Sequence, residues 1–290
     1  MATRVRKRVA VVLPVGPDDA EGALDTLASA LYYLSESRII AVVDDTDGHS
    51  DFGRRARELS PDIAVLPASP HCHGKLGELW VKQAAAYQWL LERYEPDVTL
   101  RLDADALIIG SGIEELAENE FASDARIGLL GSYRVRTDGT LRDWSWPARR
   151  LRIETGIRGL RYPSRLRHLR QLITLARRNG YVDGEHALGA CYIHSLRAVD
   201  GIYAKGWFRE SSLATSRLGD DHLMGLLTVA AGYRIADFGR PADPIALAWK
   251  GLPAHPEELL ARKKLVTHSV RSLESLEEAQ IRNFFREARA

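Results

Sequence analysis

The sequence predicts an α/β fold with a mostly parallel central sheet that is flanked by helices. Apolar, β-branched runs of strand length at 8–15, 38–45 and 97–110 alternate with stretches of helical spacing. Nearly continuous apolar strands are typical of parallel sheets that are buried on both faces. The order β-α-β-α-β-α-β then predicts a doubly wound sheet, whose ligands bind beyond the carboxyl ends of the strands.

Length and composition indicate an ordinary globular protein. The 290 residues are 45% hydrophobic and 27% charged, with a net charge of +1, which fits a single domain over 1–290. No apolar run approaches the roughly 18 residues that cross a bilayer, and the N-terminus lacks a signal-peptide core. Two cysteines, Cys72 and Cys191, cannot build a disulfide framework. We therefore predict a cytoplasmic protein, and the near-neutral charge predicts no specific nucleic-acid partner.

The elements follow from periodicity and from breaks in it. In the first half we predict strands at 8–15, 39–43 and 63–66, a fourth strand within 97–110, and helices at 20–35, 51–59 and 78–94. In the second half we predict helices at 111–119, 195–202, 256–263 and 274–289, strands at 127–133 and 265–271, and an edge strand at 233–237. No Gly-x-Gly-x-x-Gly follows the first strand, which disfavours a dinucleotide.

An acidic pair, Asp103 and Asp105, lies near the end of the fourth predicted strand. Alternate residues of a strand face the same way, so both carboxylates can converge on one point. Two such oxygens suit a hard divalent cation that completes its shell with water and substrate phosphates. Short acidic pairs also cap helices and occupy turns, so this motif does not decide the function by itself.

Other candidate motifs have simpler alternatives beside them. Asp44-Asp45 ends the second strand, where a plain turn is the alternative. Lys75 lies in a loop at a helix N-terminus, which favours phosphate, although a solvated lysine fits too. The neighbouring His71-Cys72-His73 is a poor zinc site because no second cluster of Cys and His exists at zinc spacing. Asp220-Asp221 opens a helix that it could simply cap.

These motifs, in this order over about residues 8–270, resemble the nucleotide-sugar-dependent glycosyltransferases of the GT-A fold, especially family two. The resemblance implies a nucleotide-sugar donor, UDP-sugar first, with Mn²⁺ or Mg²⁺ and a hydroxyl acceptor. It implies an inverting reaction with Asp221 as general base, and with Asp220 positioning the acceptor or the donor sugar. It implies metal contacts from Asp103, Asp105 and His268, a histidine that otherwise lies on the surface or caps a helix. It implies donor contacts from Pro14, Val15, Asp44, Asp45, Lys75, Asp103, Gly189 and Ala190, although tight sheet packing also explains Gly189.

Residues 134–180 differ in composition from the rest of the chain. This range contains thirteen arginines but only three acidic residues, Asp138, Asp143 and Glu154. The arginines are 134, 136, 142, 149, 150, 152, 158, 161, 165, 167, 170, 177 and 178. Leu166, Leu169, Ile173 and Ala176 recur at helical spacing, which predicts an amphipathic helix. A solvated helical face explains this basic insert. The sharper hypothesis is recruitment of an anionic acceptor or of an anionic membrane surface, to which the protein would be peripheral. Trp144 and Trp146 could add a stacking surface.

The resemblance divides the chain into a nucleotide-sugar-binding half, 8–110, an acceptor-binding half, 111–270, and a C-terminal helix, 271–290. Two alternatives stay open. A sugar-phosphate nucleotidyltransferase uses a similar sheet but needs a Gly-rich loop after the first strand, where this chain has Val15-Gly16-Pro17-Asp18. A non-catalytic basic membrane-surface or adaptor protein on a transferase-like scaffold would be centred on the insert.

Overall fold

The computed structural model describes residues 3–46, 51–67 and 76–289. The strands are β1 Val5–Val15, β2 Arg38–Asp44, β3 Ile63–Pro67, β4 Tyr94–Leu102, β5 Ala106–Ile108, β6 Ile127–Gly131, β7 Cys191–Ser195, β8 Arg234–Asp237, β9 Ile245–Leu247, β10 Val266–His268, β11 Ser272–Leu273 and β12 Leu276–Glu277. The α-helices are α1 Ala20–Tyr33, α2 Phe52–Leu59, α3 Leu76–Arg93, α4 Ile113–Ser123, α5 Ser145–Thr155, α6 Pro163–Arg178, α7 Leu196–Ala204, α8 Asp220–Ala230, α9 Pro256–Ala261 and α10 Glu278–Glu287. Short 3₁₀ helices span Ile157–Arg161, Trp207–Arg209 and Ser211–Thr215.

The central sheet has seven strands in the order β3-β2-β1-β4-β7-β6-β8. β3, β2, β1 and β4 are parallel, β7 is antiparallel to both of its neighbours, and β8 is an edge strand parallel to β6. This confirms the predicted mostly parallel α/β sheet. Since β1, β2 and β4 are parallel neighbours, their carboxyl ends at Val15, Asp44 and Leu102 lie at one edge, where a doubly wound sheet binds ligands.

β1 shows why the sheet needs helices on both faces. Every residue from Val9 to Val15 is buried. Ala10 and Val12 pack into the cluster that contains α3, α6, α7 and α8, whereas Val9 and Val11 pack into the cluster on the other face, with α1 and α4. The period of two along one apolar strand therefore supplies two separate cores.

The prediction of one strand within 97–110 is wrong. β4 ends at Leu102, residues 103–105 form a turn in which the Ala106 N–H donates to the Asp103 carbonyl at 3.1 Å, and β5 leaves for a second sheet. There β5 pairs antiparallel with β10, which is also parallel to β9. The two acids therefore lie in a turn, and it is the turn rather than strand alternation that brings them together.

The basic insert contains α5, a 3₁₀ helix and α6, and the four apolar residues predicted to face inward on α6 are buried: Leu166, Leu169, Ile173 and Ala176. Gly189 and Ala190, predicted to lie on a strand, precede β7 instead. In the ranges that the structure describes, none of the helices combines the length and the hydrophobicity that crossing a membrane requires.

Candidate active site

Asp103, Asp105 and His268 meet at the carboxyl edge of the sheet. His268 Nε2 lies 3.1 Å from Asp105 Oδ1 and 3.8 Å from Asp103 Oδ2. One potential ligand atom from each residue lies within 4.8 Å of the others. His268 Nδ1 lies 2.8 Å from the Ala248 carbonyl, which fixes the ring and turns Nε2 towards the carboxylates. Two carboxylates and one imidazole form a donor set that suits Mn²⁺ or Mg²⁺.

Asp105 is held from behind by two further residues. Its Oδ2 accepts hydrogen bonds from Ser269 Oγ at 2.7 Å and from Arg271 Nε at 2.9 Å, and Arg271 also reaches Asp19 Oδ1 at 2.7 Å. These contacts leave Oδ1 directed to His268. Outer contacts of this kind orient a ligand before a cation arrives.

The pKa values in this cluster reflect crowded negative charge. Burial raises the pKa of Asp103 to about 6, although Arg101 opposes the shift. Burial also acts on Asp105, but the hydrogen bond from His268 and those from its other partners outweigh it and hold the pKa of Asp105 well below its usual range. Burial favours neutral His268, but Asp105 and Asp103 outweigh it and raise the pKa of the ring. The cluster attracts a positive charge, which a divalent cation would supply.

A buried arginine joins this cluster to the second acidic motif. Arg101 Nη1 lies 2.6 Å from Asp103 Oδ1, and Nη2 lies 3.2 Å from Asp220 Oδ2. Arg101 also donates to the Gly189 carbonyl. Asp220 is buried as well and accepts a hydrogen bond from Gln83 Nε2 at 2.6 Å. Arg101 therefore fixes the distance between the two acidic motifs, and Asp220 faces the interior.

Sequence reasoning missed Arg101. A charged residue on an apolar strand is ordinarily taken as a residue that faces solvent at a strand end. The available signal was its place two residues before Asp103, inside a strand whose other residues from Val98 to Leu102 are apolar or small. A lone cation in such a strand requires a buried carboxylate partner.

A cavity of about 370 Å³ opens beside the cluster. It brings together six residues that the sequence predicted as donor or metal contacts: Pro14, Val15, Asp45, Asp103, Asp105 and His268. Asp45 forms an ion pair with Lys82 of α3, which no sequence motif indicated. Asp44 does not line the cavity. Its Oδ1 accepts hydrogen bonds from the Thr46 N–H at 3.0 Å and from the Thr46 hydroxyl at 2.6 Å. Lys75 and the His71-Cys72-His73 segment lie outside the described residues.

Asp221 stands at the first turn of α8 beside two histidines. Its Oδ1 lies 2.8 Å from His222 Nδ1 and its Oδ2 lies 3.8 Å from His186 Nε2. Gly189 packs directly on Asp221, since a Cβ at position 189 would lie 3.3 Å from both the Cβ and Oδ2 of Asp221. Arg142 Nη2 lies 3.0 Å from His186 Nε2, and this guanidinium disfavours a metal ion between the two rings.

The histidines set the charge of Asp221. Burial alone would raise the pKa of Asp221, but the charge and the hydrogen bonds of His222 outweigh burial and hold that pKa well below its usual range. Burial lowers the pKa of His186 to about 4, which leaves this ring neutral near pH 7. Burial also opposes the charge on His222, but Asp221 outweighs it and raises the pKa of the ring. Asp221 is therefore ionised near pH 7.

The chain is similar in sequence and in structure to known glycosyltransferases. No family model matches the sequence. Over 136 residues, the chain is 33% identical to the hyaluronan synthase of Streptococcus pyogenes and, equally, to that of Streptococcus pyogenes serotype M1. The match covers 46% of this chain and 31% of each synthase. Among solved structures, a mannosyltransferase from Pyrobaculum calidifontis in complex with GDP-mannose and Mn²⁺ aligns with 80% of this chain and 55% of its own, with a TM-score of 0.45 and 16% identity.

The bifunctional glycosyltransferase WbbM, in its apo form, aligns with 100% of this chain and 50% of its own, with a TM-score of 0.53 and 12% identity. At this identity the likeness concerns the fold. Together with the sequence match to hyaluronan synthase, it confirms the resemblance that the motifs indicated. The chain has the GT-A-like α/β fold of the glycosyltransferases.

Proposed function

We propose that this protein is a metal-dependent glycosyltransferase that moves a sugar from a nucleotide diphosphate sugar to an acceptor hydroxyl. The observation that carries the proposal is the meeting of Asp103, Asp105 and His268 beside the cavity at the carboxyl ends of β1, β2 and β4. A UDP-sugar is the favoured donor, because Asp45 lies in the turn that receives the uridine in the resembled enzymes. Mn²⁺ and Mg²⁺ are both candidates.

The cluster of Asp103, Asp105 and His268 and the cavity beside it would bind the donor and assist the departure of its diphosphate. A divalent cation held by Asp103, Asp105 and His268 would act as a Lewis acid on the departing diphosphate. Ser269 and Arg271 keep Asp105 in the orientation that this role needs. Pro14 and Val15 line the cavity in which a nucleotide would bind, and the ion pair of Asp45 with Lys82 adds polar groups to its lining.

The acceptor half belongs to Asp221. Its carboxylate would take the proton from the acceptor hydroxyl as that oxygen attacks the anomeric carbon, in line with the leaving diphosphate. His222 keeps the carboxylate ionised, and Gly189, which has no side chain, packs against it. Asp220, locked to Arg101 and Gln83, positions Asp221 rather than reacting itself. One base and a single displacement give inversion at the anomeric carbon.

We extend the proposal to the organisation of the chain. Residues 8–110 would bind the nucleotide sugar, and residues 111–270 would bind the acceptor within one domain. The acceptor is a glycan, a lipid-linked molecule or a small molecule that offers a hydroxyl. An anionic membrane surface is a further proposed partner, through the basic insert 134–180.

A thermal-shift panel of UDP, GDP and ADP, each with and without Mn²⁺, tests the donor site. A ligand that binds the folded state alone raises the apparent stability by RT ln(1 + [L]/Kd). We expect the largest increase in Tm with UDP and Mn²⁺ together, and we expect Asp105→Ala to abolish the Mn²⁺-dependent part. Stabilisation that is identical with and without Mn²⁺, or absent for every nucleotide, would contradict the proposal.

A further inference from the structure

The 3₁₀ helix Ile157–Arg161 and the residue after it expose apolar side chains at the edge of the basic insert. Ile157 is 87% exposed, Leu160 is 62% exposed, and the Tyr162 ring is also exposed. Single exposed apolar residues are common, but several within six residues mark a contact surface. We call residues 157–162 the exposed edge.

The charge around the exposed edge has one sign. Residues 155–182 contain no Asp or Glu and carry seven arginines, at 158, 161, 165, 167, 170, 177 and 178. In the described part of the chain, Arg158, Arg161 and Arg167 pair with no carboxylate, in contrast to Arg177, which binds Asp183 at 2.6 Å. Unpaired guanidinium groups beside exposed aliphatic side chains match an anionic headgroup layer above an apolar interior.

The exposed edge has a fixed shape. Gly159 is buried, and a Cβ there would collide with the Glu154 carbonyl, so the chain turns tightly at this point. Below it, Arg165 is buried beside Glu154, with Nε 3.5 Å from Glu154 Oε2, and its guanidinium lies 4.5 Å from the centre of the Tyr162 ring. The edge is therefore already folded, and contact with a surface requires little further ordering.

The same contacts connect the exposed edge to Asp221. Glu154 accepts hydrogen bonds from Ser216 Oγ at 2.8 Å and from the Arg217 N–H at 2.7 Å, in the segment that leads into α8. At the start of α5 the Trp146 ring lies 5.6 Å from the His222 ring. A helical rise of about 1.5 Å per residue separates the two ends of α5 by roughly 15 Å. The edge and Asp221 thus border one short helix.

We propose that the exposed edge seats this protein on an anionic membrane, with Ile157 and Leu160 in the interfacial layer and Arg158 and Arg161 among the headgroups. Apolar burial and headgroup attraction act together, as in other peripheral proteins that need two signals for stable binding. If the proposed function holds, an acceptor carried by the same membrane would reach Asp221. The membrane contact itself does not require that function.

Vesicle flotation of the full chain tests this proposal. We expect the protein to float with vesicles of phosphatidylcholine and phosphatidylglycerol, and not with phosphatidylcholine alone. Ile157→Ser with Leu160→Ser should abolish flotation, and Arg158→Gln with Arg161→Gln should reduce the partition coefficient by about fivefold for each charge removed. High salt should weaken wild-type binding, because the Debye length falls to about 3 Å at 1 M.

The matched control variants replace exposed apolar and arginine residues that lie outside the exposed edge. Leu116→Ser removes an exposed apolar residue from α4, and Arg6→Gln with Arg126→Gln removes two exposed charges from other surfaces. These variants should float like the wild type, and circular dichroism should show every variant folded. Failure of the wild type to float at low salt, or equal losses in the controls, would overturn the proposal. Binding to heparin without binding to vesicles would overturn it too, in favour of a soluble polyanion.

The increase in Tm with UDP and Mn²⁺ tests the proposed function independently of the membrane contact. The variants of the exposed edge should keep the stabilisation by UDP and Mn²⁺, because their side chains do not line the donor cavity. Flotation without any nucleotide response would retain the membrane contact and reject the proposed function.

Discussion

Arg101 lies inside the molecule, and its guanidinium contacts carboxylates from two motifs that are far apart in sequence, Asp103 and Asp220. Removing one partner of a buried ion pair leaves the other charges uncompensated, which costs about 3–5 kcal/mol. We therefore expect Arg101→Met to lower the free energy of unfolding by that amount, as measured by urea denaturation. Arg126→Met is the matched control, since its pair with Asp124 is exposed to solvent and contributes little to stability. Equal losses in both variants would contradict the central role of Arg101.

Asp221→Asn separates donor binding from chemistry. The amide keeps the shape of the side chain but cannot take the acceptor proton, and general-base catalysis contributes about 10²–10⁴-fold. We expect turnover to fall by that factor while the Tm increase with UDP and Mn²⁺ is unchanged. Asp183→Asn, at an exposed ion pair with Arg177, should leave both quantities intact. Wild-type turnover in Asp221→Asn would remove this residue from the mechanism.

Metal binding should weaken in acid. The folded-state pKa of Asp103 is raised by burial to about 6, so Asp103 becomes protonated as the pH falls below that value. His268, whose raised pKa reflects its carboxylate neighbours despite its burial, also takes up a proton in that direction. A cation must displace these protons, so its affinity falls as the pH decreases. Titration of Mn²⁺ by calorimetry between pH 5 and about pH 8 should show tightest binding at the alkaline end. An affinity that is constant over this range would contradict the assignment of Asp103 and His268 as ligands.

At the scale of elements, α3 begins where it packs against the 3₁₀ helix Ser211–Thr215. Gly77 permits this contact, because a Cβ there would lie 2.8 Å from the Ser216 carbonyl oxygen and 2.9 Å from the Ala214 carbonyl oxygen. Glycine to alanine in a helix ordinarily stabilises, yet here backbone must move, and overpacking costs about 1–3 kcal/mol. We expect Gly77→Ala to lower the free energy of unfolding measured in urea. Gly201→Ala on α7, whose nearest contact is the edge of the Tyr233 ring at 3.3 Å, should change it less. A stabilised Gly77→Ala protein would refute the packing argument.

The elements also show what the sequence could reveal. Local periodicity was enough for β1, β2 and α1, because each buries an apolar pattern against its neighbours in sequence. It failed after Leu102, because the apolar residues of β5 continue the pattern of β4 while their partner strand, β10, lies about 160 residues later. Buried charges are hard to recognise for a related reason: Asp220, which pairs with Arg101, and Asp45, which pairs with Lys82, come from distant parts of the chain.

At the scale of the whole molecule, ion pairs join the C-terminal segment to α1 next to the acidic turn. Asp25 of α1 is buried, and its carboxylate contacts Arg282 at 3.2 Å and Arg289 at 2.6 Å. Arg282 Nη2 also donates to the Ala104 carbonyl at 3.0 Å, between the two predicted metal ligands. The C-terminal helix α10 therefore supports the turn on which the proposed metal site depends, although it supplies no side chain to the cavity beside that site.

Asp25→Asn should accordingly affect both stability and metal binding. Loss of the carboxylate leaves the Arg289 guanidinium without its counter-charge and Arg282 with Glu278 alone, and breaking a buried ion pair costs about 3–5 kcal/mol, so the Tm should fall. Arg282 keeps Glu278 but loses one of the two carboxylates that orient it towards Ala104, so we expect the turn at 103–105 to loosen and the Mn²⁺-dependent stabilisation by UDP to fall as well. Asp124→Asn breaks exposed pairs with Arg126 and Arg234 and should change neither measurement by much. If Asp25→Asn lowers the Tm but keeps the full Mn²⁺ response, the C-terminal helix stabilises the fold without positioning the metal ligands.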